Sequence, residues 1–258
     1  MIRHIGIWAA LIVITGWAAQ AQAPEVPVVR AAVYDFSDAP GCAGRLIGRR
    51  VAEALNTALI QRGQWEMADR PSLLRECAAQ GVEPPFGVGY LQMFGRRLEA
   101  PLAIAGLVQN CVLNERRGAA QVTLVCELTE TVDGNGLRSF KGVGSAAMAQ
   151  GETEPLDVIV DRALVEAAGD LAVALSGFDA WTTTVMATLE DGQVLLNAPT
   201  GRRVQVGEKL AIYRREADAW ALVGFVEIAR ADEMVLHTRM VSTSIPPQIN
   251  DLCIAVAR

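Results

Sequence analysis

Helical periodicity runs through this chain as far as Gly177 and then stops. From Leu156 to Leu175 the apolar residues Val160, Leu164, Ala168, Leu171 and Leu175 share one stripe, and Ser176-Gly177 ends it. An amphipathic helix must bury such a stripe, and a sheet face is the available partner. From Trp181 onward there are only short β-type runs, at 182–189, 193–197, 210–214, 220–229, 233–241 and 252–256. They are separated by Asp191-Gly192, Pro199-Thr200-Gly201 and 244–247. Strands at that spacing, with no helices between them, close into a small barrel or sandwich. The expected fold is therefore α+β: an α/β sandwich, a mixed sheet covered by helices, over 28–176, then a small all-β barrel of SH3/OB type over 181–258.

The first part reads in the same way. Residues 28–36 form a strand rich in β-branched residues, followed by a loop, Ser37 to Gly41. A helix is expected over 43–62, with Ile47, Val51, Leu55, Ala58 and Leu59 on its apolar side and Gly63 as its stop. A short strand at 64–68 leads into a helix opened by Pro71, and a second helix spans 88–98. Three strands follow as a meander at 102–113, 121–131 and 137–147, the last two joined by the tight turn Asp133-Gly134-Asn135-Gly136.

The N-terminus reads as an address. Arg3 and His4 precede an apolar run, 5–19, that ends in the small-x-small pattern Ala19-Gln20-Ala21. Residues 1–21 are expected to be a signal peptide cut after Ala21, with an uncleaved inner-membrane anchor as the alternative. No cysteine stands directly after the apolar run, the first being Cys42, so the exported chain is expected to carry no lipid. A net charge of −6 argues against a nucleic-acid partner, and two histidines leave little room for histidine-based catalysis. No Walker A, dinucleotide fingerprint, G-x-S-x-G or metal-ligand spacing occurs, so no cofactor or metal is expected.

An oxidising compartment gives the five cysteines a different meaning. If the first hairpin turns about Gly118-Ala119, positions whose numbers sum to 237 face each other, which makes Cys111 and Cys126 a candidate disulfide. Cys42 with Cys77 is a second pairing, and Cys253 is left over. Asp35 and Asp38, at the end of the first strand, are the candidates for acid–base work. Arg45, Arg49 and Arg50 cluster where the first helix begins and are the candidates for meeting an anionic partner. His237 falls in a strand, Arg202-Arg203 and Arg214-Arg215 flank turns of the barrel, and Trp181 and Trp220 are core or interface anchors of it.

The stretch VVRAAVYDF, its loop, and GRRVAEALNTALIQRGQWEMADRPSLLRE resemble the opening of the CsgG-like domain. Phe94 to Ala100 and Leu102 to Val108 extend the resemblance, which covers 28–175. The family includes the curli secretion protein CsgG, the penicillin-binding-protein activator LpoB and the flagellar protein FlgT. The segment from Gly192 to Arg214 is similar to small β-domains such as the C-terminal part of FlgT. The resemblance implies a non-enzymatic, periplasmic envelope protein that works through a protein complex in secretion, flagellar or peptidoglycan assembly, with homo-oligomers and peripheral outer-membrane association within the family's range. A secretion pore like CsgG is the alternative, and an exported hydrolase using Asp35 or Asp38 a third. The lipobox of CsgG and LpoB is absent, and the charged meander lacks the aromatic girdles of membrane-spanning strands.

Overall fold

The structure, a computed structural model, describes residues 26–38, 46–149, 154–177, 181–190, 192–217 and 219–257. The expected signal peptide lies outside them. The layered part is built from β1 (Arg30–Val33), α1 (Ile47–Arg62), β2 (Glu66–Met67), α2 (Arg70–Gln80), α3 (Val88–Arg97), β3 (Leu102–Asn114), β4 (Ala119–Glu130), β5 (Gly136–Ala147) and α4 (Leu156–Ser176). The sheet order is β2-β1-β3-β4-β5. β1 runs parallel to both β2 and β3, because helices make both crossovers, and β3-β4-β5 is an antiparallel meander. The sheet is thus mixed, and every element expected from the sequence is present.

One face of the sheet buries Val33, Ile104, Leu124 and Leu128 against the stripes of α1 (Val51, Leu55, Leu59) and α4 (Val160, Leu164, Leu171). On the other face α2 and α3 cover only the β1–β3 side, where Tyr34, Leu73, Cys77, Leu91, Phe94 and Ala103 form a second cluster. The helix boundaries follow from local chemistry. Asp69 accepts the Ser72 amide at 2.9 Å and Pro71 occupies the first turn of α2. Gly63 and Gly81 end α1 and α2 in the left-handed region.

β5 is the long outer strand of this sheet, and its outer side is closed by α4. A Cβ on Gly144 would stand 2.2 Å from the Ala163 carbonyl oxygen, and one on Gly142 would stand 2.5 Å from that of Ala167. Only glycine lets the helix come so near. At that range α4 side chains reach the strand's unpaired backbone groups. Asp170 accepts the Val143 amide (2.9 Å), Glu166 accepts the Ser145 amide (2.7 Å), and Arg162 donates to the Ala147 carbonyl (3.1 Å). An outer strand that would otherwise template pairing with another chain is thereby satisfied within its own fold.

The remaining strands are β6 (Thr182–Thr188), β7 (Val194–Asn197), β8 (Lys209–Glu216), β9 (Ala219–Ala231), β10 (Val235–Thr243) and β11 (Leu252–Ala257). They close into a barrel of order β10-β7-β6-β11-β8-β9. Its interior holds Val185, Leu196, Leu210, Val226 and Cys253. Trp181 also lies in this core, its indole donating to buried Glu208 at 2.9 Å. The barrel's outer side contributes Ala211, Tyr213, Phe225, Ile254 and Val256 to the same apolar cluster that α1 and α4 build on the sheet. Barrel and layered part therefore share a continuous core.

Replacing Gly144 with valine pushes branched carbons into the backbone of α4. The expected loss is about 1–3 kcal/mol, the scale of overpacking a filled interior, read as a lowered urea midpoint. An unchanged midpoint would refute the close approach of α4 to β5.

Candidate functional site

The two candidate acid–base carboxylates both have structural partners. Asp35 is ion-paired with Arg70 of α2, and the Arg70 guanidinium also donates to the Val33 carbonyl at 2.8 Å. Arg70 is only 9% exposed, so this pair supplies the countercharge that makes its burial tolerable. Asp38 accepts the Gly48 amide in the first turn of α1. It stands in for Leu46, the residue before the helix, which has no side-chain acceptor.

The two described arginines of the candidate cluster are each engaged in a separate ion pair. Arg49 pairs with Glu53 one turn further on (3.2 Å), and Arg50 pairs with Asp161 of α4. Arg45 lies outside the described residues. In the barrel, Arg214 grips Asp251 through two bonds of 3.0 and 2.8 Å, while Arg202 and Arg215 sit over the rings of Trp181 and Trp220. His237 belongs to a surface group in which its Nε2 lies 3.1 Å from Asp232, whose carboxyl Arg230 and His237 together hold below the usual range.

The Cys111–Cys126 disulfide is not formed. Cys126 is a free, buried thiol, pushed up to about 12 by burial. The hairpin closes earlier than the sequence suggests. Asn114 accepts the Arg117 amide, a single turn of 3-10 helix follows at Glu115–Arg117, and pairing begins at Asn114–Ala119. A bulge between Val108 and Asn110 shifts the register again, so Cys126 faces Gly106 and Cys111 faces Val122. The Cys42–Cys77 pairing fails as well, because Cys77 is free. Burial raises its thiol to about 11, so neither it nor Cys126 is a ready nucleophile.

What the sequence did not reveal is a cleft of about 870 Å³ where the layered part meets the barrel. Arg30 and Glu66, from the neighbouring strands β1 and β2, form an ion pair on one side. Glu99, in the turn after α3, lies 3.6 Å from the same guanidinium. Tyr213 of β8 and Trp220 of β9 supply the opposite side. The Tyr213 side chain is 5% exposed, and its hydroxyl has no hydrogen-bond partner among the described residues. Burial also pushes this phenol above its ordinary value, so it stays protonated.

A third wall is the turn after β4. Buried Glu130 accepts the amides of Val132 (2.7 Å), Asp133 (3.1 Å) and Asn135 (2.7 Å). The Asn135 side chain donates both to Glu130 and, at 3.1 Å, to the Val241 carbonyl of the barrel. Arg96 and Gln92 of α3 donate to the Val132 carbonyl, each at 3.3 Å. Hydrogen bonds thus tie this wall to both halves. Among the described residues no group of three or more His, Cys, Asp or Glu side chains is placed to hold a metal.

No protein-family model and no curated protein matches the chain. Among solved structures it is similar to the PelC dodecamer of Paraburkholderia phytofirmans, at 13% identity and TM-score 0.34, covering 58% of this chain and 94% of that one. It is also similar to the LpoB C-terminal domain of Escherichia coli, at 19% identity and TM-score 0.34, covering 47% and 83%. A third similarity is to lipoprotein GNA1162 of Neisseria meningitidis, at 11% identity and TM-score 0.34, covering 49% and 85%. Likeness at this level transfers no activity.

Replacing Asp35 with alanine leaves Arg70 buried without its countercharge. A loss of about 3 kcal/mol is expected, the lower end for breaking a buried pair, measured by equilibrium urea unfolding. Stability equal to that of the parent protein would return Asp35 to the list of groups free for chemistry.

Proposed function

We propose that this chain is an exported, non-enzymatic docking protein of the bacterial envelope, which helps assemble or regulate a secretion, flagellar or wall-synthesis complex. The observation that carries the reading is how the candidate chemical groups are spent. Asp35 neutralises Arg70, Asp38 caps α1, and Arg50 ties α1 to α4. The leader-like N-terminus, the resemblance over 28–175 and the division into domains at 28–176 and 181–258 fit that role. The periplasm is the proposed location, with outer-membrane association or an N-terminal anchor as variants of it. Among the described residues no helix is long and apolar enough to cross a membrane.

A cysteine supports export. Cys111 is disulfide-bonded, a state that persists in oxidising compartments. Cys77, Cys126 and Cys253 are free thiols. The pore reading is disfavoured because β3, β4 and β5 turn one face to α1 and α4, a face no lipid can reach.

Two measurements test this. Cross-linking in intact cells, followed by mass spectrometry, is expected to recover a component of an envelope assembly. Detergent-dependent rings with no such partner would favour the pore. Alkylation of the denatured, unreduced periplasmic protein is expected to leave Cys111 unlabelled until the protein is reduced, while Cys77, Cys126 and Cys253 are labelled at once. Labelling of every cysteine without reduction would remove the disulfide.

A further inference from the structure

We propose that the cleft between the layered part and the barrel is a binding site for a short, uncharged oligosaccharide. Three features of the cleft carry this. The first is charge. Arg30 is occupied by Glu66 and Glu99, and Asp133 adds a further carboxylate to the lining beside Arg96. Two guanidinium groups against three carboxylates give no cationic face for a phosphate or a uronate, and an incoming anion would have to displace existing pairs. An uncharged ligand meets no such penalty, and planar carboxylate and guanidinium groups suit ring hydroxyls, which both donate and accept.

The second is Tyr213. Its side chain is almost wholly buried, it lines the cleft, and its hydroxyl lacks a partner among the described residues. A buried hydroxyl left unpaired is costly; this one is shielded from solvent in the free protein, so a sugar hydroxyl pairs with it, in either direction, only as the cleft wall gives on binding. The third is Trp220, half-buried and, with Tyr213, part of the cleft lining. An indole gives the C–H face of a pyranose a flat apolar surface that hydroxyl-only walls lack. A volume of about 870 Å³ takes more than one ring.

An extended peptide is the competing occupant. Peptides of that kind gain affinity by pairing with an exposed strand edge. Here β5 is closed by α4, and β2 offers only Glu66–Met67. The sugar is therefore favoured.

The test uses the full exported protein, with chitotetraose and cellotetraose as neutral probes, polygalacturonate oligomers as the anionic control, and calorimetry and tryptophan fluorescence as readouts. Saturable binding of a neutral probe is expected, with the anionic control at least tenfold weaker. Trp220→Ala should weaken binding about tenfold or more. Tyr213→Phe should weaken it several-fold while leaving the urea midpoint unchanged or raised, because it removes only the unpaired hydroxyl. If Trp220→Ala does not fold, Tyr213→Phe and the rim variant Glu99→Ala carry the test. No saturation by either neutral probe at about 10 mM would overturn the proposal, as would binding indifferent to Tyr213→Phe and Glu99→Ala, or preference for the anionic control. So would a random extended-peptide library binding this cleft more tightly than the sugars. Such a failure leaves the assembly role intact, since that role is judged by cross-linking in cells.

Discussion

The seating of α4 on β5 is the constraint on which the rest of the structure depends. Gly142 and Gly144 remove the side chains that would hold the helix off, and Asp170, Glu166 and Arg162 then satisfy the strand's outward backbone groups. The same helix meets α1 through the Arg50–Asp161 ion pair and shares the apolar cluster to which the barrel contributes Tyr213, Phe225 and Val256. Lifting α4 would therefore expose an outer strand of twelve residues and open the core shared with the barrel. Edge protection and attachment of the barrel are consequences of one packing event.

Much of the architecture was legible because it rests on local periodicity. The α4 stripe, the Gly63 stop and the six short strands after Trp181 all sit close to their expected places. Register was not legible. Where Cys111 lands depends on a 3-10 turn capped by Asn114 and on a bulge near Val108, and neither changes the alternation of apolar residues that announces the strand. The roles of Asp35 and Arg50 were hidden for a related reason. Their partners, Arg70 and Asp161, lie on other helices, and only the finished fold brings them together.

The cleft was the least legible feature. Its walls come from the start of β1, the end of α3, the turn after β4 and two barrel strands, so no window of sequence contains it. The one available signal was Trp220, read as a core or interface anchor. Glu130 offered none, although it organises a whole wall, because a glutamate at a strand end usually reads as solvated surface. Its burial is explained by four donors converging from residues 132–135.

The distribution of unmet polarity carries the argument one step further. Most buried polar side chains here have assigned partners: Thr131 donates to Ala100, Thr238 to Val194, and Glu208 accepts from Trp181. The hydroxyls of Tyr213 and Ser242 do not, and both sit on barrel strands that reach the junction with the sheet. Of these two hydroxyls, that of Tyr213 belongs to a residue lining the cleft between sheet and barrel. A buried hydroxyl left unsatisfied costs stability in the free protein and returns it when a partner supplies the missing bond. The proposed binding site accordingly lies at the junction, where neither the layered part nor the barrel alone has a complete surface.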